Sequence, residues 1–259
     1  MFTDRRLNTV HSARLGGGIL PADSPERPFS VASAPLTTEV LVATSRALLV
    51  EGGADAVVVR EVARRLGVTA PALYRYVSGR DDLLTLLIAA CTEEATSVCM
   101  EALEGCGIDD VEARLRAATL AFRAWALAHP SEFGLVYGTP ILHYAAPEEG
   151  PTVEAGRRFG RLFGSLFVDL LETRRLRAID DALLPPAVRQ ALVDTAARLG
   201  LPMRPGEVYP FVVGWHRMLG IVSVEVTGHL HWAFGGDTTA FIHLQFEELF
   251  DDLLLPVVR

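Results

Sequence analysis

Residues 59–83 read VREVARRLGVTAPALYRYVSGRDDL, and two short amphipathic helices meet in this stretch at a glycine. Val59, Val62, Ala63 and Leu66 recur at helical spacing and form an inward stripe. Gly67 reaches the positive φ that ends a helix without the steric cost a Cβ would bring. Thr69 then suits the N-cap of a second helix, and Pro71 falls in its first turn, where a missing N–H loses nothing. Leu73 and Val77 continue the apolar stripe, which leaves Ala70, Ala72, Arg75 and Tyr76 pointing outward. Two helices so arranged are a helix-turn-helix, whose second helix enters a DNA major groove.

Charge supports this. From Arg60 to Arg80 five arginines face one acid, Glu61, whereas the whole chain carries a net charge of −8. Residues 91–259 hold 14 arginines against 23 acids. A basic island on an acidic protein is an electrostatic footprint for phosphate, and the acidic remainder disfavours non-specific binding elsewhere. The bland alternative is a core hairpin with solvated arginines; the spacing of Gly67, Thr69, Pro71, Tyr74 and Arg80 argues against it.

The 259 residues, half of them hydrophobic, suffice for one large domain or two small ones. Uninterrupted apolar runs such as Leu86–Cys91 fall far short of the roughly 20 residues of a membrane span. The N-terminus lacks the apolar core of a secretory signal. If Cys91 and Cys99 share a helix they lie about 12 Å apart along its axis, too far to bridge. Buried thiols in a reducing compartment are therefore expected, and the expected location is the cytoplasm. The basic residues are all arginine, spread along the chain, which reads as compositional bias rather than chemistry.

Residues 1–35, with Gly16-Gly17-Gly18 and four prolines, read as a disordered arm, alternatively a DNA-contacting tail through Arg5, Arg6 and Arg14. Helix 1 runs from Thr37 or Thr38 to about Glu51. Ser78 and Asp81 suit the cap of a fourth helix reaching about Leu103. Everything beyond reads helical: Asp109 or Asp110 caps a helix ended by His129-Pro130, a short helix follows to Tyr137, and 138–151 form a long loop. A helix from about Val208 to Leu230 is apolar or small on nearly every side, so it buries two faces, one plausibly on a second copy. The last helix spans Thr238–Leu255. The fold class is all-α: a three-helix head with the helix-turn-helix over 36–90, then a larger helical ligand-binding and dimerisation domain over 91–259.

The string LGVTAPALYRYVSGRDDLL sits close to the motif of tetracycline-repressor-type (TetR-family) regulators, which the chain resembles most over 37–96. The resemblance implies an all-α homodimer, paired through its last two helices, that binds a double-stranded DNA operator and answers to a small-molecule effector. By position, Arg60 matches a residue able to reach a base edge, and arginine's fork suits guanine. Ala70, Pro71, Ala72 and Arg75 fall on the exposed first turns of the recognition helix. Thr69, Tyr74, Tyr76 and Arg80 stand where the family contacts phosphate; for Tyr74 the alternative is a core aromatic. Trp125, His129-Pro130, Phe133, Tyr137, Trp215 and Gly220 resemble the Trp/His/Gly (WHG-type) branch. There a histidine often precedes the glycine, whereas here Leu219 does and His216 lies a turn earlier. The aromatics Trp125, Phe133, Tyr137, Phe163, Phe167 and Trp215, with His216, are the candidate ligand contacts.

Two other readings stay open. One is a constitutive DNA-binding regulator without a ligand. The other is an enzyme or metal protein, for which His229-x-His231 near Glu225 is the nearest pattern. On a helix those histidines would point nearly opposite ways, so no metal site is expected. Neither a nucleophile–His pair nor a glycine-rich phosphate loop is present, so no catalytic residue and no cofactor are expected.

Overall fold

A computed structural model describes residues 36–256. The expected N-terminal arm, with Arg5, Arg6 and Arg14, lies outside the described residues. The head holds α1 (Thr38–Gly52), α2 (Val59–Leu66) and α3 (Ala70–Leu73). Then come α4 (Arg80–Glu104), α5 (Val111–Ala128), α6 (Pro130–Tyr137), α7 (Pro151–Glu172), α8 (Pro186–Leu199), α9 (Pro205–Val226), α10 (His231–Phe234) and α11 (Thr239–Leu253). Among the described residues the one β feature is an isolated bridge between Leu176 and Leu254.

Local chemistry sets these boundaries. The Thr37 hydroxyl accepts from the Val40 N–H at 3.4 Å and opens α1; the Asp110 carboxylate accepts from Ala113 N–H at 3.0 Å and opens α5. Proline stands at the start of α6, α7, α8 and α9. A second proline, Pro210, lies inside α9 and offers no N–H to the Gly206 carbonyl. That carbonyl instead accepts from Ile179 N–H at 3.1 Å, so the connection before α8 fills the gap in the ladder. The approach is so close that a Cβ on Gly206 would lie 2.0 Å from the Ile179 carbonyl.

Two boundaries differ from expectation. Helix α4 starts at Arg80 with Gly79 as a cap that supplies no side chain; Asp82, not Asp81, accepts from the Ser78 N–H at 2.7 Å. Helix α9 stops at Val226, not near Leu230, because Gly228 takes a φ of 69° and turns the chain. The histidine pair therefore sits in a turn and at the start of α10, not along one helix. His229 Nδ1 pairs with the Thr227 hydroxyl at 3.1 Å.

Helix α4 is the axis of the molecule, packed along α1, α5, α6 and α7. It is long and apolar enough to cross a membrane, but it is spent as the core helix, with Leu83, Leu84, Leu87, Cys91, Ala95 and Cys99 buried. The thiols of Cys91, Cys99 and Cys106 are free. The long loop after α6 folds back on this axis, the Tyr144 hydroxyl meeting Thr85 Oγ1 at 3.0 Å.

Candidate nucleic-acid interface and core cavity

Three buried residues of α2, Val59, Val62 and Ala63, seat it against the core, and Gly67 closes it in the left-handed conformation at φ 65°. Leu73 and Val77, both buried, hold the next turns down. Helix α3 is shorter than the sequence suggests: regular geometry ends at Leu73 and residues 74–76 continue as turns. Thr69 is its N-cap by backbone, yet its exposed hydroxyl makes no capping bond and stays available to an outside acceptor. Pro71, Tyr74, Arg75 and Tyr76 are exposed, and Ala70 and Ala72 are half-buried between them. Tyr74 is 56% exposed, so it is not a core aromatic.

The five arginines divide into two groups. Arg64 chelates Glu61 through contacts of 2.9 and 2.6 Å. Arg65 grips Glu51 of α1, one contact measuring 2.8 Å. Hydrogen bonding to these guanidinium groups holds both carboxyls below their ordinary range. Arg80 reaches back to the Ala54 carbonyl at 3.0 Å and Asp55 Oδ1 at 3.2 Å. Arg60 and Arg75, both exposed, make no ion pair among the described residues. The basic island counted from the sequence is thus largely neutralised by acids brought in from α1 and the turn after it. Of the two unpaired cations that remain, Arg60 stands in the first turn of α2 and Arg75 within the turns after α3.

A sequence profile described as "Bacterial regulatory proteins, tetR family" matches residues 41–87, which hold this motif. A second, "Tetracyclin repressor-like, C-terminal domain", matches residues 115–249. The chain belongs to the TetR family. Curated relatives include the HTH-type transcriptional regulators Rv1816 of Mycobacterium tuberculosis and Mb1846 of Mycobacterium bovis. Each is 30% identical over 188 residues, covering 73% of this chain and 80% of the relative. The fold matches the solved protein SCO4313, with a TM-score of 0.64 at 23% identity over 82% of this chain and 94% of that one. It also matches a TetR family transcription regulator from Marinobacter aquaeolei, with a TM-score of 0.54 at 14% identity over 85% and 96%. As a TetR-family member the chain is a transcriptional regulator with a DNA-binding domain.

The candidate ligand residues scatter over more than one place. A cavity of about 340 Å³ opens between α4, α6, α7 and α9, and Tyr137, Phe163 and Trp215 line it. Phe167 lines a separate space of about 20 Å³, which shares Phe163 and Trp215. Trp125 and Phe133 reach neither. They pack on Phe122, the hub of an aromatic cluster, with ring centroids at 6.1 and 6.2 Å. His216 is on the exposed side of α9, its Nδ1 3.2 Å from the Val212 carbonyl oxygen, and lines neither space. Phe159 and Phe211, absent from the sequence-based candidates, line the larger cavity. Only the fold, by crossing α7 and α9, could single them out from other core aromatics. Among the described residues no group of three or more His, Cys, Asp or Glu side chains could hold a metal ion.

Proposed function

We propose that the protein is a dimeric, ligand-responsive repressor, acting in the cytoplasm, whose recognition turns are released from a DNA operator when a small molecule fills the cavity. The observation that carries this is the position of α4. One end follows the recognition turns directly, and Ile88 and Thr92, about 12–18 Å further along the helix, form part of the cavity wall. A molecule that prefers one placement of α4 therefore biases the head, which is the thermodynamic requirement for coupling.

A second strut joins the same parts. Arg46 of α1 meets Glu94 of α4 at 2.8 Å and approaches Glu132 of α6 at 3.9 Å, and Glu132 is 3% exposed. Helix α6 also carries Val136 and Tyr137 into the cavity wall, so movement there reaches α1 through a buried carboxylate.

In the head, Arg60 and Arg75 are the polar base readers, and Ala70, Pro71 and Ala72 offer apolar contact. Thr69, Tyr74, Tyr76 and Arg80 hold phosphates. For dimerisation, α9 turns Tyr209, Val213, His216 and Val224 outward along one stripe, and on α11, which packs on α9, Leu244 is 55% exposed. A two-fold pairing there would present two heads, which must sit about 34 Å apart to reach successive major grooves.

Footprinting of the purified protein on its own genome tests the reading, followed by thermal-shift screening against small molecules and gel shifts with any that bind. Operator release by a stabilising compound is the expected result. A dimer that holds DNA unchanged in the presence of every bound compound would instead be a constitutive regulator.

A further inference from the structure

Resting on the ligand-responsive reading above, we propose that the cavity accepts an uncharged, mainly apolar molecule. It carries a hydrogen-bonding group that meets Thr152 and enters past Gly156.

The wall settles the charge. Among the described residues that line it there is no Arg, Asp, Glu or His, and the polar side-chain groups are the hydroxyls of Thr92, Tyr137 and Thr152 and the indole N–H of Trp215. A carboxylate or ammonium moved here from water would find no counter-charge to replace its hydration. The first turn of α7, where Thr152 stands, offers a partial positive charge, but a helix end is a weaker effect than the loss of an ion's hydration. Burial pushes the Tyr137 phenol upward, so it remains a neutral donor.

Purely apolar contents are disfavoured by one atom. Thr92 Oγ1 is already committed to the Ile88 carbonyl at 2.9 Å. Thr152 Oγ1 is closed to solvent and has no hydrogen-bond partner among the described residues, so a ligand meets it once the side chain turns about χ1 towards the cavity. A buried hydroxyl left unpaired is destabilising, so a ligand that brings a complementary group gains relative to a hydrocarbon of the same shape. The volume, about 340 Å³, lies at the small end of the range for small-molecule sites.

Access is marked by the glycines of α7. At Gly160 a Cβ would come within 2.8 Å of Leu199 Cδ2, so a side chain there would make that leucine tip on α8 shift. At Gly156, one turn earlier, a Cβ would meet nothing within 4 Å. A glycine inside a helix is destabilising relative to alanine, and packing does not require it here. Gly156 is exposed, lines the cavity and lies one turn from Thr152 on the same face. Its missing side chain leaves the way in open.

Three probes sharing one chain test this: octan-1-ol, octanoate and octyltrimethylammonium at pH 8, read by tryptophan fluorescence in a Trp232→Phe background. Octan-1-ol should bind at least tenfold tighter than either ion. Thr152→Val should weaken it several-fold, and Gly156→Trp should abolish it while operator binding persists. Gly156→Ala should melt higher, because packing does not require the glycine. Equal or tighter binding of an ion, no binding of the alcohol, or unaltered binding by Gly156→Trp overturns the proposal. Gel shifts with the same probes read the parent function separately. An ion that releases DNA sinks the uncharged ligand and leaves the repressor; an alcohol that binds and releases nothing does the reverse.

Discussion

Replacing Arg75 or Arg60 with alanine asks whether readout depends on the two arginines of the motif that are unpaired among the described residues. Neither side chain has an ion partner among the described residues, and both are exposed, so truncation should leave folding stability within about 0.5 kcal/mol. Each bidentate contact to a base pair contributes about 1–3 kcal/mol of discrimination. A symmetric dimer loses two, so preference for operator over scrambled duplex should fall by about 2–6 kcal/mol, at least about thirtyfold. Arg64→Ala is the matched control. That arginine is equally close to the motif but chelated by Glu61, so its removal should leave the preference unchanged. Fluorescence anisotropy on both duplexes, at several salt concentrations, gives the ratio directly. A ratio unaltered by Arg75→Ala and by Arg60→Ala, or one that collapses equally with Arg64→Ala, would refute the division of the arginines into readers and braces.

Arg80→Ala should weaken binding to all sequences alike and flatten the salt dependence, because its exposed partner Asp55 yields readily to a phosphate; a changed sequence preference in filter binding would exclude that role. Glu225→Ala breaks a buried bidentate pair with Arg123, contacts 2.7 and 2.5 Å, and should cost about 3–5 kcal/mol in denaturant unfolding; a loss under 1 kcal/mol would contradict the packing of α5 on α9. Gly67→Ala places a Cβ at φ 65° with open space around it, so the cost is conformational alone, about 1–2 kcal/mol by thermal melt. Burial pushes the Cys91 and Cys99 thiols up to about 11 and 12, so near pH 8 a thiol reagent should label Cys106 alone until the chain unfolds. The unfolded chain loses those two protons first, so stability should drain as pH climbs from about 9 through about 11 for Cys91 and about 12 for Cys99.

The head was legible because its signals are local. Gly67, Thr69 and Pro71 each dictate a backbone state that follows from its own chemistry, and the stripe from Val59 to Val77 faces the core as its period requires. The cavity was legible only in kind. Aromatic residues in the right helices could be named, but core and wall differ by how α4, α7 and α9 cross, which no local pattern records. Trp125 and Phe133 were therefore indistinguishable from Tyr137 and Trp215. An all-round apolar helix hides which face is inward: Gly214 and Met218 face in, and His216 faces out. The end of α9 was missed because Gly228 reads as one more small residue in a run of them.

Counting charge along the chain also overstated the footprint, for a reason with functional weight. Glu51 and Asp55 lie outside the motif in sequence but reach into it in space, so five arginines face three acids instead of one. Non-specific affinity scales with the number of phosphates neutralised, whereas discrimination depends on contacts to base edges. Bracing Arg64 and Arg65 with carboxylates therefore lowers the sequence-blind part of binding and leaves Arg60 and Arg75 untouched. The rest of the chain, at 14 arginines to 23 acids over 91–259, acts in the same direction by repelling phosphate away from the head. A regulator built this way holds few random sites and gives up its operator for a small loss of contact. On the proposed coupling, that is the electrostatic setting in which a modest shift of α4 would be enough to release DNA.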